Sequence, residues 1–243
     1  MLQSNPVPPE PPIENRCPEC LFLKLEGNPI WTDLLNRDYR QIELHLTLNF
    51  HEEEVKLKWG SVWFGLKRGE LRLRLTNARI PYDARNLNDL LTLLVSKDIK
   101  TQEGREHQSN LGGSLSAKEP SLKANATEKR TTSRTESFQE TTWRVSTKGS
   151  EEEPTWVFET DDLFLKGTLP TELLATMDVT AKSCRVEATF EVSRRDVYFS
   201  RGEGIWLNHL SRNKQLVIEN KLILWWLREK LTPYLSRVEL HYD

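Results

Sequence analysis

The sequence predicts a mainly β protein. It reads as an antiparallel sandwich or bent-sheet meander with one long C-terminal helix, interrupted by a disordered insertion. Three observations carry this. Residues Ile42 to Leu75 hold runs of strict apolar–polar alternation, the period that puts one face of an extended strand in the core and the other in water. A second clean alternation, Cys184 to Val192, recurs past the middle of the chain. Between them, residues 97–141 are rich in Ser, Thr, Lys, Glu and Gln, a composition that buries too little apolar surface to offset ordering costs of about 1–2 kcal/mol per residue.

Taken in order, residues 1–16 form a Pro-rich polar segment, expected as a disordered arm. Leu21, Leu23 and Leu25 alternate with Phe22, Lys24 and Glu26 and suggest a short strand. Trp31 to Arg40 places Trp31, Leu34, Leu35 and Tyr39 near helical spacing, with Thr32 as a candidate cap. Ile42, Leu44, Leu46, Leu48 and Phe50 then define a long strand, followed by an acidic turn and by Val55, Leu57 and Trp59 in phase. Val62, Phe64 and Leu66 fall in the opposite phase. A β-bulge at Gly60-Ser61 would restore the face; the alternative is a strand buried on both sides. Leu71, Leu73 and Leu75 complete the expected antiparallel meander. Leu87 to Val95 has spacing suited to a short helix capped by Asn86.

Beyond the insertion, Trp156–Phe158, Leu163–Leu165, Cys184–Val192 and Val197–Phe199 read as strands, with turns between. Asn213 to Leu231 reads as the long helix, capped by Ser211 and stopped by Pro233. Its apolar stripe is wide, since Leu222, Trp225 and Trp226 extend the face of Leu216, Ile223, Leu227 and Leu231. Val238 and Leu240 suggest a final edge strand. The organisation is thus a 1–16 arm, a 17–96 β-rich lobe, a 97–141 linker and a 142–243 β-rich lobe with helix 213–231. Neither half has strands enough to close alone, which favours a joint body.

Composition bounds the function. A net charge of −2 argues against a surface that is basic throughout. Three Cys do not make a disulfide framework. No secretory signal or membrane-spanning run is read, so the expectation is a soluble cytoplasmic protein without membrane association. Eight Trp give even a modest set of strands a firm core. No phosphate loop, nucleophile elbow or metalloprotease helix motif is present, which points away from an enzyme.

Three groups of residues remain as candidates. Lys56, Lys58, Lys67, Arg68, Arg72 and Arg74 alternate with the meander's core residues. On one wet face they would form a patch able to follow a nucleic-acid backbone, or would simply blunt edge pairing. Trp225 and Trp226 point about 100° apart on a helix, so an ordinary core face need not hold both, and an exposed Trp is an anchor for a protein partner. Cys17-x-x-Cys20 is half of a zinc knuckle or a redox pair. It lacks an evident third and fourth ligand and a thioredoxin-like context, so its plain reading is structural. The acidic His51–Glu54 turn is read as solvated rather than metal-binding. The expected function is a non-enzymatic protein-interaction module without cofactor. The alternative is a nucleic-acid-binding accessory protein, and a hydrolase with a dispersed metal site comes third.

Overall fold

The structure is a computed structural model. It describes residues 13–33, 38–57, 60–97, 137–203, 211–214, 217, 221, 225, 228 and 230–243. The chain is mainly β and its strand pairs are antiparallel.

The strands are β1 (Ile13–Asn15), β2 (Leu21–Asp33), β3 (Asp38–Phe50), β4 (Glu53–Leu57), β5 (Gly60–Leu66), β6 (Arg68–Thr76), β7 (Ala78–Arg79) and β8 (Leu90–Lys97) in the first half. The second half adds β9 (Ser137–Gly149), β10 (Pro154–Glu159), β11 (Gly167–Val179), β12 (Cys184–Glu191), β13 (Val197–Glu203) and β14 (Ser236–Tyr242). They form three sheets that do not close into a barrel. The largest runs β1-β14-β12-β6-β10-β9-β8, the second β2-β3-β11-β7 and the third β13-β5-β4. Every sheet mixes strands from before and after residues 98–136. Residues 1–95 and 140–243 make one compact unit, and 96–139 a second of which only the ends of β8 and β9 are described.

The expected meander is redistributed. β3 lies in the second sheet, β4 and β5 in the third and β6 in the first. Alternation fixes which side chains of a strand face inward, but is silent on which strand lies beside it. The phase switch after Trp59 is not a bulge. β4 ends at Leu57, β5 starts at Gly60, and the two pair antiparallel with Val55 opposite Val62. Reversing the chain changes the phase and keeps both valines on one face.

Other expectations are also corrected. Trp31–Asp33 and Asp38–Arg40 belong to β2 and β3 rather than to helical turns; residues 34–37 lie outside the description. Leu90–Lys97 is strand, not helix: four Leu and a Val at mixed spacing fit a partly buried strand as well as a helix face. Leu163–Leu165 is not a strand. Ile13–Asn15 pairs with Ser236–Val238, so the end of the Pro-rich arm is ordered, and β14 sits between β1 and β12 rather than at an edge. β9 already begins at Ser137, inside the expected linker; residues 1–12 and 98–136, where the expected disorder falls, lie outside the described residues. The long helix over 213–231 is not supported. A short helical stretch is described at Arg212–Lys214, with further helical positions at Val217, Lys221, Trp225, Arg228, Lys230 and Leu231. The residues between these lie outside the description.

The core joins the first two sheets. Phe50 of β3 meets the Trp143 ring of β9 edge-on at 5.1 Å and the Phe190 ring of β12 at 5.6 Å. Ile42, Leu44, Leu46 and Leu48 are fully buried beside Leu21, Leu23 and Leu25. The buried indoles still satisfy their N–H groups: Trp143 donates to the Lys166 carbonyl at 3.1 Å and Trp156 to that of Asn86 at 2.8 Å. β11 carries Pro170 where its register with β3 slips between Leu169 and Glu172. A residue with no N–H is accommodated at such an irregularity.

Candidate functional site

The helical positions described past Ser211 expose basic and aromatic side chains to solvent. Lys214, Val217, Lys221, Trp225 and Arg228 are described helical positions separated by three or four residues in sequence. All five are exposed, Val217 at 55% and Trp225 at 77%. Trp is normally well buried, so this degree of exposure is unusual. Arg212 adds a fourth exposed cation, and no acidic residue is among the described exposed helical positions. Trp226 lies outside the described residues.

Of the six basic residues of the expected meander, the five described ones fall on β4, on β6 and between β5 and β6. Lys56 is exposed on β4 in the third sheet, Lys67 is exposed between β5 and β6, and Lys58 lies outside the described residues. Lys67 Nζ stands 5.1 Å from the centre of the Tyr198 ring. Arg68, Arg72 and Arg74 do line one face of β6, as alternation requires, but each meets carboxylates from its own or a neighbouring segment. Arg68 contacts Glu70 at 3.0 Å and Glu159 at 4.0 Å. Arg72 reaches Glu70 and Glu191, both at 3.5 Å. Arg74 reaches Glu153 at 3.5 Å and Glu187 at 4.0 Å. The face is a lattice of mixed charge, because glutamates separated in sequence are brought beside β6 by pairing.

Glu70 is the node of that lattice, also accepting from Lys148 Nζ at 2.8 Å. Partial burial pushes its carboxyl up. The Lys148 hydrogen bond and charge, with Arg68 and Arg72, outweigh this and hold it below its ordinary 4.5. A carboxyl with a depressed folded pKa contributes stability that is complete above its unfolded value and lost as pH falls through the folded one. Glu70→Gln should therefore flatten the acid limb of a urea-midpoint-against-pH curve below about pH 4.5, at a neutral-pH cost under about 1 kcal/mol. An unchanged acid limb would remove Glu70 from the account of acid sensitivity.

Cys17 and Cys20 sit in a tight turn. The Cys20 N–H donates to the Cys17 carbonyl at 3.1 Å, and both side chains are fully buried and unpaired. Burial pushes the Cys17 thiol up to about 12, with the nearby Glu53 charge adding to it. Cys20 is raised as well, first by burial. Such thiols stay protonated at neutral pH and are poor nucleophiles. Among the described residues, no group of three or more His, Cys, Asp or Glu side chains converges as a metal site.

Beside the turn lies Glu53, 7% exposed, with Lys230 Nζ at 3.5 Å from Oε1. Sequence reading left Glu53 in a solvated turn. The signal was present: Glu53 stands in phase with Val55, two residues on, and so belongs to the inward set of β4. Arg85 was also missed. Its guanidinium is buried and donates to the carbonyls of Lys148 and Gly149, each at 3.3 Å, and of Ser150 at 2.7 Å.

The fold thus defines an antiparallel, mainly β protein with three open sheets. No family model and no curated protein matches the chain. Among solved structures it is similar to the NetB toxin of Clostridium perfringens in its membrane-inserted form, at 10% identity and a TM-score of 0.26, over 70% of this chain and 83% of the toxin. The delta-toxin of the same organism gives 9% and 0.28 over 67% and 75%, and a protein titled a pore forming protein gives 8% and 0.28 over 75% and 88%. Likenesses this slight do not bear on function. Among the described residues no helix is long and apolar enough to cross a membrane.

Proposed function

We propose that this protein is a non-enzymatic, β-sandwich-like module that binds a protein partner through the exposed Trp225 side chain. The observation that carries the reading is the 77% exposure of Trp225, with Val217, Lys214, Lys221 and Arg228 also exposed at described positions nearby in sequence. An exposed aromatic anchor flanked in sequence by Lys221 and Arg228 suits a protein surface that offers an apolar pocket with an acidic rim: the pocket desolvates the indole and the rim steers approach. Three unpaired cysteines fit a reducing, cytoplasmic setting. Nucleic-acid binding by the basic residues has less behind it, since Arg68, Arg72 and Arg74 all stand against carboxylates.

The test is a displayed library of acidic peptides carrying aromatic and aliphatic anchors, selected on the intact protein. Trp225→Ala should weaken the selected peptides by about 30-fold or more, the mark of an interface anchor, and leave the unfolding midpoint unchanged. Lys221→Glu with Arg228→Glu should slow association and reduce its salt dependence. Equal binding by Trp225→Ala would sink the proposal. So would failure of every peptide together with Trp225-dependent binding to phosphatidylserine vesicles or to a single-stranded oligonucleotide.

A further inference from the structure

We propose that Glu53 and Lys230 form a proton-linked latch, which holds the segment Lys230–Leu235 against the Cys17–Cys20 turn and so gates access to these two thiols. The latch is independent of the Trp225 surface and needs no partner.

Several contacts press the C-terminal segment onto the cysteine turn. The Arg16 N–H donates to the Leu235 carbonyl at 3.0 Å, and its guanidinium donates to that of Thr232 at 2.6 Å and stacks on Tyr234 at 4.4 Å. On the other side, the His51 N–H donates to the Cys20 carbonyl at 3.1 Å, anchoring the turn to the start of β4. Leu231, next to Lys230, is buried, and both thiols are at 0% exposure.

Glu53 lies at this junction with its charge poorly matched. Its Oε1 has Lys230 at 3.5 Å, a long contact, while the buried Oε2 has no hydrogen-bond partner among the described residues. The groups facing it are the Cys17 and Cys20 turn and Lys230. His51, Glu52 and Glu54 flank it along the chain, with Glu54 exposed and Glu52 half-buried. Burial pushes the carboxyl above its ordinary 4.5, and the attraction of Lys230 and hydrogen bonding from the cysteine turn offset this only in part.

The sign follows. When the latch opens, Glu53 meets water and returns to an ordinary carboxyl. The closed form therefore holds the proton more tightly, and protonation favours closure. Closure is firmest below about pH 4.5 and weakens as pH rises through the raised value. Every unit separating the closed and open pKa values makes the opening equilibrium about tenfold more favourable at neutral pH than in acid.

The experiment follows reaction of Cys17 and Cys20 with dithiodipyridine, which reacts in acid as well as at neutral pH. Rates on the intact chain are divided by those of the same thiols in denaturant, from pH 4 to 7.5, with Cys184→Ser as background. The normalised rate should rise with pH and level off. Glu53→Gln keeps the shape and removes the charge, so its rate should be flat with pH and below that of the parent at pH 7. Lys230→Met should react faster than the parent at pH 7 and equally at pH 4. A pH profile in Glu53→Gln that copies the parent's would overturn the latch. Should that variant not fold, an unchanged rate in Lys230→Met at pH 7 would overturn it alone.

Discussion

Phe190→Ala should cost about 3–5 kcal/mol in urea unfolding, a large share of the roughly 5–15 kcal/mol that holds a typical domain together. Phe190 is fully buried on β12 and its ring stands 5.6 Å from that of Phe50 and 6.2 Å from that of Phe158. It is where the first and second sheets meet, so truncation leaves a cavity that strands fixed by pairing on both sides cannot collapse to fill.

The same ring fixes the identity of Gly69 on β6. A Cβ built there would lie 2.2 Å from Phe190 Cε1 and 2.4 Å from Cζ. The absence of a side chain is what lets the ring lie over the neighbouring backbone. Gly69→Ala should therefore destabilise by about 1–3 kcal/mol through overpacking, and by much less in the Phe190→Ala background. That non-additivity is the decisive measurement, since contacting residues couple and distant ones do not. If Gly69→Ala leaves the unfolding midpoint unchanged, the packing described here is wrong.

The second large effect belongs to Arg85. Three carbonyls at the end of β9 and the turn into β10 converge on its buried guanidinium, which also stacks over the Tyr82 ring at 4.3 Å. The turn has its own constraint: Gly149 adopts a φ of +88° and a Cβ there would meet the Glu153 carbonyl oxygen at 2.3 Å. Arg85 itself bridges to Ala175 of β11, so one residue, by its backbone to Ala175 and its side chain to the turn, ties a turn of the first sheet to a strand of the second. Arg85→Met should cost about 2–4 kcal/mol, because the carbonyls lose charged donors where water replaces them poorly. Arg85→Lys should recover little of this: an ammonium is a point donor and does not span three acceptors as a planar fork does. Full stability of Arg85→Lys in a thermal melt would reduce the cluster to a nonspecific positive charge.

The interaction surface and the latch differ in how far they could be read in advance. Trp225 was singled out because two adjacent tryptophans on a helix diverge, and its solvent exposure gives that concern substance. The basic residues of β6 were correctly placed on its outward face, yet their setting was misjudged. Glu153, Glu187 and Glu191 come from strands and turns far along the chain, and no local pattern announces them. Glu53 was legible from its phase with Val55; the acidic run around it hid that signal.

By itself, the sequence determined that this chain is β-rich and antiparallel, and which side chains of β3, β6 and β12 face inward. It could do so because alternation is a property of one strand's backbone, repeated every two residues. Only the tertiary structure decided that Ile42–Leu75 is shared among three sheets, that Leu90–Lys97 extends rather than coils, and that Glu53 meets Lys230. Those outcomes depend on which distant segment supplies the neighbouring hydrogen bonds and countercharges, and such partners leave no periodic mark on the residues they join.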